Sequence, residues 1–250
     1  MRQIGMGQFW TFFAFPLNLL LAALWLAGWG WLWKNRPSCR LVRFMLSPAA
    51  TVASLVLLAG ACLWIGLSGD RSFVQSVFFV VLLLYVQTVV FLITLRGWRR
   101  ADGQVRWRFL LIHAGLLLAL GGGFWGSPDS SEMRVALSSG DSSMKAFRLD
   151  GTMVGLGYEL SLHEYDTEVS NDGKPVHYEA YVSVDDGKPV CITVNHPYGV
   201  RFGEAIYLAS VSEGGCVFQI VREPWRSFAL VGIIMMLIGA FMLFVKGPRR

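Results

Sequence analysis

Five apolar runs, at 12–33, 48–68, 73–95, 109–126 and 225–245, constrain this chain of 250 residues more than any other feature. A hydrocarbon core of about 30 Å takes about 20 apolar residues as a helix. Each run meets or nearly meets that length, and the fourth is the shortest. No run contains Asp, Glu, Lys or an internal Arg. Five transmembrane helices are therefore expected. The chain is 54% hydrophobic and 16% charged, against about 45–50% and about 25% in average globular chains. That balance excludes a disordered chain, a coiled coil and a disulfide-dense secreted module, and it disfavours an ordinary soluble enzyme. Ten Trp and seventeen Phe suit interfacial aromatic belts, with Trp25, Trp29, Trp31 and Trp33 at one end of the first run.

The net charge of +5 hides a segregation. Residues 127–224 hold fifteen of the seventeen acids and seven of the twenty-two bases, near −8, while the remainder is near +13. The bases lie between apolar runs, which argues for membrane topology and against nucleic-acid binding. Lys34, Arg36, Arg40 and Arg43 follow the first run, and Arg96, Arg99, Arg100, Arg106 and Arg108 follow the third. Lys246, Arg249 and Arg250 follow the fifth, whereas Asp70 and Arg71 cancel between the second and third. The positive-inside rule places the three basic segments in the cytoplasm. The N-terminus and the acidic segment then lie outside. Arg2 alone makes a poor signal-peptide n-region, so the first run is expected to stay as a span. No internal repeat of the transporter kind is evident, which disfavours a solute-transport subunit.

The acidic segment changes pattern from helix-length runs to short strands. Near-alternation from Tyr158 to Tyr165 reads as a half-buried strand, and 176–184, 190–194, 205–211 and 216–221 read as others. Asp172-Gly173 and Asp186-Gly187 mark hairpins between them. The expected organisation is four spans over 1–126, an extracytoplasmic antiparallel β domain over 127–224, and a fifth span with a basic tail over 225–250. Cys191 and Cys216 fall in predicted strands on the oxidising side, where a disulfide between them and two free thiols are both open readings. Cys39 and Cys62 read as inert. No Cys-x-x-Cys occurs, so the chain is neither a thioredoxin-type oxidoreductase nor a c-type cytochrome.

His113 is the one histidine inside a span. An ionisable residue there is a functional hypothesis by default. A haem axial ligand, a proton relay and a hydrogen bond to a neighbouring helix all remain open for it. Nearby Ala114, Gly115, Gly121, Gly122 and Gly123 allow close approach by another helix or by a flat cofactor. His163 and His177 give only a weak hint of a metal site, and His196, before Pro197, reads as a turn. Glu159, Glu164, Asp166 and Glu168 read as a solvated strand face. No phosphate-binding loop, dinucleotide fingerprint or serine-nucleophile motif is present, so no catalytic residue is assigned.

Several stretches resemble one family. Cys191-Ile-Thr-Val-Asn-His-Pro197 followed by Gly203-Glu-Ala-Ile-Tyr207 is similar to a signature of the ResB/CcsB family of system II cytochrome c biogenesis. Arg222-Glu-Pro-Trp-Arg226 with Gly232 and Gly239 resembles its ending, and 109–123 with His113-Ala-Gly resembles the helix before its outer domain. Glu164-Tyr165 and Gly173-Lys-Pro175 through Tyr178 resemble two of its strands. Leu208 and Glu223 depart from the Gln and Asp usual there. The resemblance implies a non-autonomous subunit of a holocytochrome c synthase (a lyase) in a bacterial inner membrane. Its implied partners are a CcsA/ResC-type membrane protein and apocytochrome c, and its implied cofactor is haem b, carried or transiently held. By that match His113 is the implied axial ligand of the haem iron. The alternative is a membrane-anchored assembly protein whose β domain binds a partner without touching haem.

Overall fold

The computed structural model describes residues 12–69, 73–74, 76–169, 175–212 and 214–246. The expectations for Asp70, Arg71, Asp172-Gly173, Arg249 and Arg250 lie outside these residues. Contacts divide the chain into two units, Met1–Pro128 with Trp225–Arg250, and Asp129–Pro224.

The first unit is helical. Its helices are α1 (Leu17–Asn35), α2 (Arg40–Met45), α3 (Pro48–Ser68), α4 (Val77–Gly97), α5 (Trp107–Gly126) and α6 (Arg226–Lys246). Local chemistry sets the boundaries. The Ser47 hydroxyl accepts from Ala50 N at 3.1 Å with Pro48 in the first turn, and Gly69 ends α3 in the left-handed region at φ 65°. The Ser76 hydroxyl likewise caps α4 by accepting from Phe79 N at 3.2 Å. Four helices are long and apolar enough to cross a membrane: α3, α4, α5 and α6. The expected fifth forms as α1, but it begins at Leu17 rather than residue 12 and does not join those four. Asn18, two glycines and four tryptophans dilute its aliphatic content. The basic connection after it also folds into α2, a helix absent from the sequence reading.

Outward faces are apolar. Leu67 and Phe244 are each 87% exposed, an arrangement that requires hydrocarbon rather than water as solvent. The buried helix is α4, with Leu82, Val86, Gln87, Thr88, Val89, Val90, Leu92 and Thr94 inside.

The α5–α6 pair is the closest helix contact. A Cβ on Gly232 would lie 2.5 Å from Gly115 O and 2.6 Å from Ala119 N, and one on Gly115 would lie 2.6 Å from Gly232 O. Gly122 faces Ala229 N at 3.0 Å and Gly126 faces the Trp225 side chain. Small residues allow this approach, because helices in lipid gain most from close van der Waals packing. Of the two readings for these glycines, helix packing is the one realised at Gly115 and Gly122. Gly123 meets nothing within 4 Å.

The second unit is one antiparallel sheet in the order β5-β4-β3-β2-β1-β8-β7-β6. The strands are β1 (Ser131–Leu137), β2 (Ser142–Arg148), β3 (Met153–Val169), β4 (Pro175–Val184), β5 (Val190–Thr193), β6 (Tyr198–Arg201), β7 (Glu204–Ser212) and β8 (Gly215–Arg222). Three of them, β1, β2 and β6, were not anticipated. Register shifts bend β2–β3, β3–β4 and β7–β8. Strands β4 and β5 also touch β7 across the core, so the sheet folds over on itself. Between its halves lie Leu160, Leu162, Val182, Ile192, Ile206, Phe218 and Ile220, all essentially buried.

Cys191 and Cys216 are free thiols. Cys191 is exposed on edge strand β5, its Sγ 3.8 Å from Glu179 Oε2, while Cys216 is 1% exposed and points into the core from β8. Burial pushes the Cys216 thiol up to about 11. The unfolded chain, with its thiol near 9.0, ionises first, so stability is full below about pH 9 and is lost as pH rises toward 11.

Two outcomes are expected. Gly232→Leu should lower the thermal midpoint of the detergent-purified chain, at the upper end of the roughly 1–3 kcal/mol typical of overpacking, with Gly123→Ala unchanged. Maleimide labelling at pH 7.5, mapped by peptide mass spectrometry, should modify Cys191 at least roughly ten times faster than Cys216 in the native chain. Denaturation should remove that difference.

Candidate functional site

Within the helical unit, His113 sits half-buried on α5. Its Nδ1 lies 2.9 Å from the carbonyl oxygen of Phe109, one turn earlier on the same helix. A carbonyl only accepts, so Nδ1 carries the proton and donates. That leaves the lone pair on Nε2, which has no hydrogen-bond partner among the described residues. The imidazole also stacks on Phe109, with ring centroids 3.9 Å apart. Phe109 is held in turn by Gly97, where a Cβ would come within 2.5 Å of the ring, and by the Arg106 guanidinium 5.0 Å from its centroid. A hydrogen bond to a neighbouring helix, one of the open readings for His113, is not formed among the described residues; the partner is on its own helix. A backbone carbonyl behind Nδ1 is the usual way a metal-ligating histidine is oriented with Nε2 forward.

A second polar cluster was missed in the sequence. Gln87, midway along α4, is 2% exposed, and its Oε1 accepts from Trp125 Nε1 of α5 at 3.0 Å. Asn18 Nδ2 of α1 donates to Trp125 O at 2.7 Å. Trp25 Nε1 of α1 donates to the Thr88 hydroxyl at 3.1 Å, which itself donates to Leu84 O at 2.7 Å. The Tyr85 hydroxyl donates to Ala50 O of α3 at 2.8 Å. One turn of α4 thus ties α1, α3 and α5 together. Because the Trp125 indole can only donate, the Gln87 amide is oriented with its oxygen toward Trp125. Its Nε2 is buried and has no partner among the described residues. Gln87 lines a cavity of about 380 Å³ whose walls come from α1, α4, α5 and α6, with Ala114 and Met235 toward one end and Trp125 and Trp225 toward the other. His113 is not among the lining residues, although its successor Ala114 is. Uncharged amides inside apolar runs were the available signal; a search for charged side chains passes over them.

In the β unit, the remaining sequence-level residues separate. His163 Nε2 lies 2.9 Å from Ser183 Oγ across β3 and β4, while His177 pairs in register with Glu168, several residues along. Among the described residues no group of three or more His, Cys, Asp or Glu side chains could hold a metal ion. His196 sits in the expected turn, its N–H donating to Thr193 O at 3.1 Å, after Asn195 at φ 66°. Glu159, Glu164 and Asp166 are exposed, as a solvated face requires.

Two motifs distant in sequence meet here. Gly203, at φ 72°, packs on Pro224 so tightly that a Cβ would fall 2.5 Å from the proline Cα, and Glu223 N donates to Gly203 O at 2.6 Å. Beside it Glu204, 3% exposed, takes Arg201 Nε and Nη2 at 2.8 Å, with Arg222 Nε at 3.9 Å. Burial first, then the Glu204 carboxylate, raises the Tyr158 hydroxyl above its ordinary value of 10.0. This cluster fastens the end of β8 to the β6–β7 turn, and its buried charge is paired as folding requires.

Residues 103–217 match the model of the ResB-like family, so the expected resemblance holds through α5 and most of the sheet. No curated protein matches the chain. The chain is similar to a solved structure of "Cytochrome c Heme Lyase CcmF", at 15% identity and a TM-score of 0.42, over 94% of this chain and 46% of that one. The chain thus spans less than half the length of that structure.

Proposed function

We propose, with the ResB-like region of residues 103–217 as premise, that this chain is a non-autonomous subunit of a system II cytochrome c synthase. It works beside a CcsA/ResC-type partner in a bacterial inner membrane. Its N-terminus and β domain lie outside and its C-terminus lies in the cytoplasm. Haem b is cargo, passed outward for thioether attachment to the Cys-x-x-Cys-His thiols of apocytochrome c. One observation carries the haem role: His113 Nδ1–H is engaged by Phe109 O, which leaves Nε2 without a partner.

The residues fit a single axial position. The imidazole is half-buried, its ring is fixed by the Phe109 stack, and its tautomer is the one an iron requires. Haem would supply the iron, which His113 would hold through Nε2, and any further ligand would come from the partner. The roles left to this chain are binding and orientation. The carbonyl of Phe109 keeps the lone pair on Nε2, the stacked ring holds the imidazole plane, and Gly97 and Arg106 keep that ring in place. Arg106 and Arg108 lie one to two turns away, at the cytoplasmic end of α5 by charge rule, where they suit the propionates of haem made inside.

The test is a visible spectrum of the full chain purified with its partner, for wild type and His113→Gly, with and without imidazole. A Soret band that falls several-fold in the variant and returns with imidazole is expected. His113→Ala should also lower holocytochrome c yield by about tenfold or more, as loss of a metal ligand does, at unchanged protein level. An unchanged haem content would place the ligands wholly in the partner and leave this chain an assembly protein.

A further inference from the structure

Large apolar side chains exposed on the β unit gather at one end of its sheet. Among the described residues they are Met144, Phe147, Leu149, Met153, Val194 and Phe202, and four of these six share that end. It is the end where Ser131 of β1 pairs with Arg222 of β8. Phe147 pairs with Met153 across β2 and β3, level with Arg134 of β1, and Leu149 stands in the tight turn between them. Phe202 forms the β6–β7 turn, where Arg201 pairs with Glu204 and Glu204 with Arg222. Leu149 is 68% exposed and Phe202 72%, so neither tip is used by the core of the sheet. The arginines cluster in the same place. All four of residues 129–224 are here: Arg134 opposite Phe147, Arg148 opposite Met133, and Arg201 and Arg222 opposite Glu204. Glu164, Asp166 and Glu179 lie toward the other end of β3.

Chain length limits what this end can meet. Residues Trp107–Asp129 and Arg226–Val245 are each long and apolar enough to span. Ser131 follows the first of them by two residues, at most about 7 Å, and the headgroup layer of a bilayer is about 5–8 Å deep on each side. Phe202 is tied there by contact as well: its neighbour Gly203 packs on Pro224, the residue before Trp225. Aromatic and aliphatic side chains flanked by arginine suit that layer, where rings sit among headgroups and guanidinium pairs with phosphate. We infer that the β unit rests on the bilayer through two loop tips, with Phe147, Leu149 and Met153 of the β2–β3 hairpin and Phe202 of the β6–β7 turn entering the phospholipid headgroup layer. The inference needs the two spans and the sheet; it does not rest on the haem proposal.

The experiment uses the full chain in phosphatidylethanolamine–phosphatidylglycerol vesicles, with Cys39, Cys62 and Cys191 replaced by Ser and Cys216 left in the core. A nitroxide is attached at Leu149→Cys or Phe202→Cys, and at Met144→Cys or Val194→Cys as exposed references away from the tips. Electron paramagnetic resonance then reads collisions with oxygen, which concentrates in lipid, and with a neutral nickel chelate, which stays in water. The oxygen-to-nickel ratio at Leu149 and Phe202 should exceed that at the references several-fold. Phe147→Ser combined with Met153→Ser should bring the ratio at Leu149 down toward the reference value, with slow maleimide labelling of Cys216 showing that the sheet remains folded. Tip ratios equal to the references would place the tips in water and overturn the inference. Low access to both agents at the tips would mean that protein covers them, and would overturn the lipid occupant. A ratio at Leu149 unmoved by the double serine variant would overturn the part assigned to Phe147 and Met153. His113→Gly should leave every ratio unchanged, so failure here and failure of the haem reading are separable.

Discussion

Hydrocarbon offers no hydrogen bonds, so every polar side chain inside the helical unit must find its partner within the protein. One turn of α4 is where this happens. Tyr85 reaches α3, Thr88 receives Trp25 of α1, and Gln87 receives Trp125 of α5. The apolar face of each neighbour could slide against α4 with little change in energy, since lipid and Leu are much alike. The hydrogen bonds fix register and rotation instead. They explain why α4 is the most buried helix and why α1, with fewer aliphatic residues than the others, still joins the bundle through Trp25 and Asn18.

The α5–α6 contact follows a different rule. Here backbone is laid against backbone, and the side chains that would prevent it are missing at Gly115, Gly122 and Gly232. Rigidity there bears on His113, because the seam continues past it, with Gly239 against Ile112 and the Arg108 carbonyl. A histidine held from behind by its own helix, at the edge of an inflexible helix pair, presents a single nitrogen in a fixed direction. That is the preorganisation a ligand position needs.

Much of this was legible in advance. Helix-length runs without charge gave α3, α4, α5 and α6, because hydropathy over about 20 residues is a long-range average that local exceptions do not disturb. The β unit was legible from alternation and turns, down to His196 and the Asp186-Gly187 turn. Strands β1 and β2 were missed because Glu132, Arg134, Ser142, Ser143 and Lys145 break the apolar pattern on faces that are exposed or half-exposed. The first span was begun too early, since Phe12, Phe13 and Phe15 read as apolar in a count whereas the helix starts only after Pro16. A pairing of Cys191 with Cys216 looked open from compartment alone; the pleat decides it, sending one thiol outward from an edge strand and the other into the core. Gln87 escaped because amides carry no charge, although the same lack of solvent that makes a charge informative applies to them.

The strand order has a consequence for biosynthesis. The first strand of the β unit pairs along its whole length with the last, Ser131 against Arg222 through Leu137 against Cys216. Strands β2 to β5 can form hairpin by hairpin as they emerge during synthesis. The centre of the sheet must wait some ninety residues for β8, and contacts of that sequence separation form slowly. When β8 does emerge, the next residues are α6, the partner of α5. The sheet is therefore completed at the moment the last helix is being delivered to the membrane. A delay in either step leaves the edge of β1 open, and an unpaired strand edge is a template for association with other chains. The final forty residues of the chain thus decide both halves of the fold at once, and truncations there should strand a nascent protein with its earlier helices inserted and its sheet unfinished.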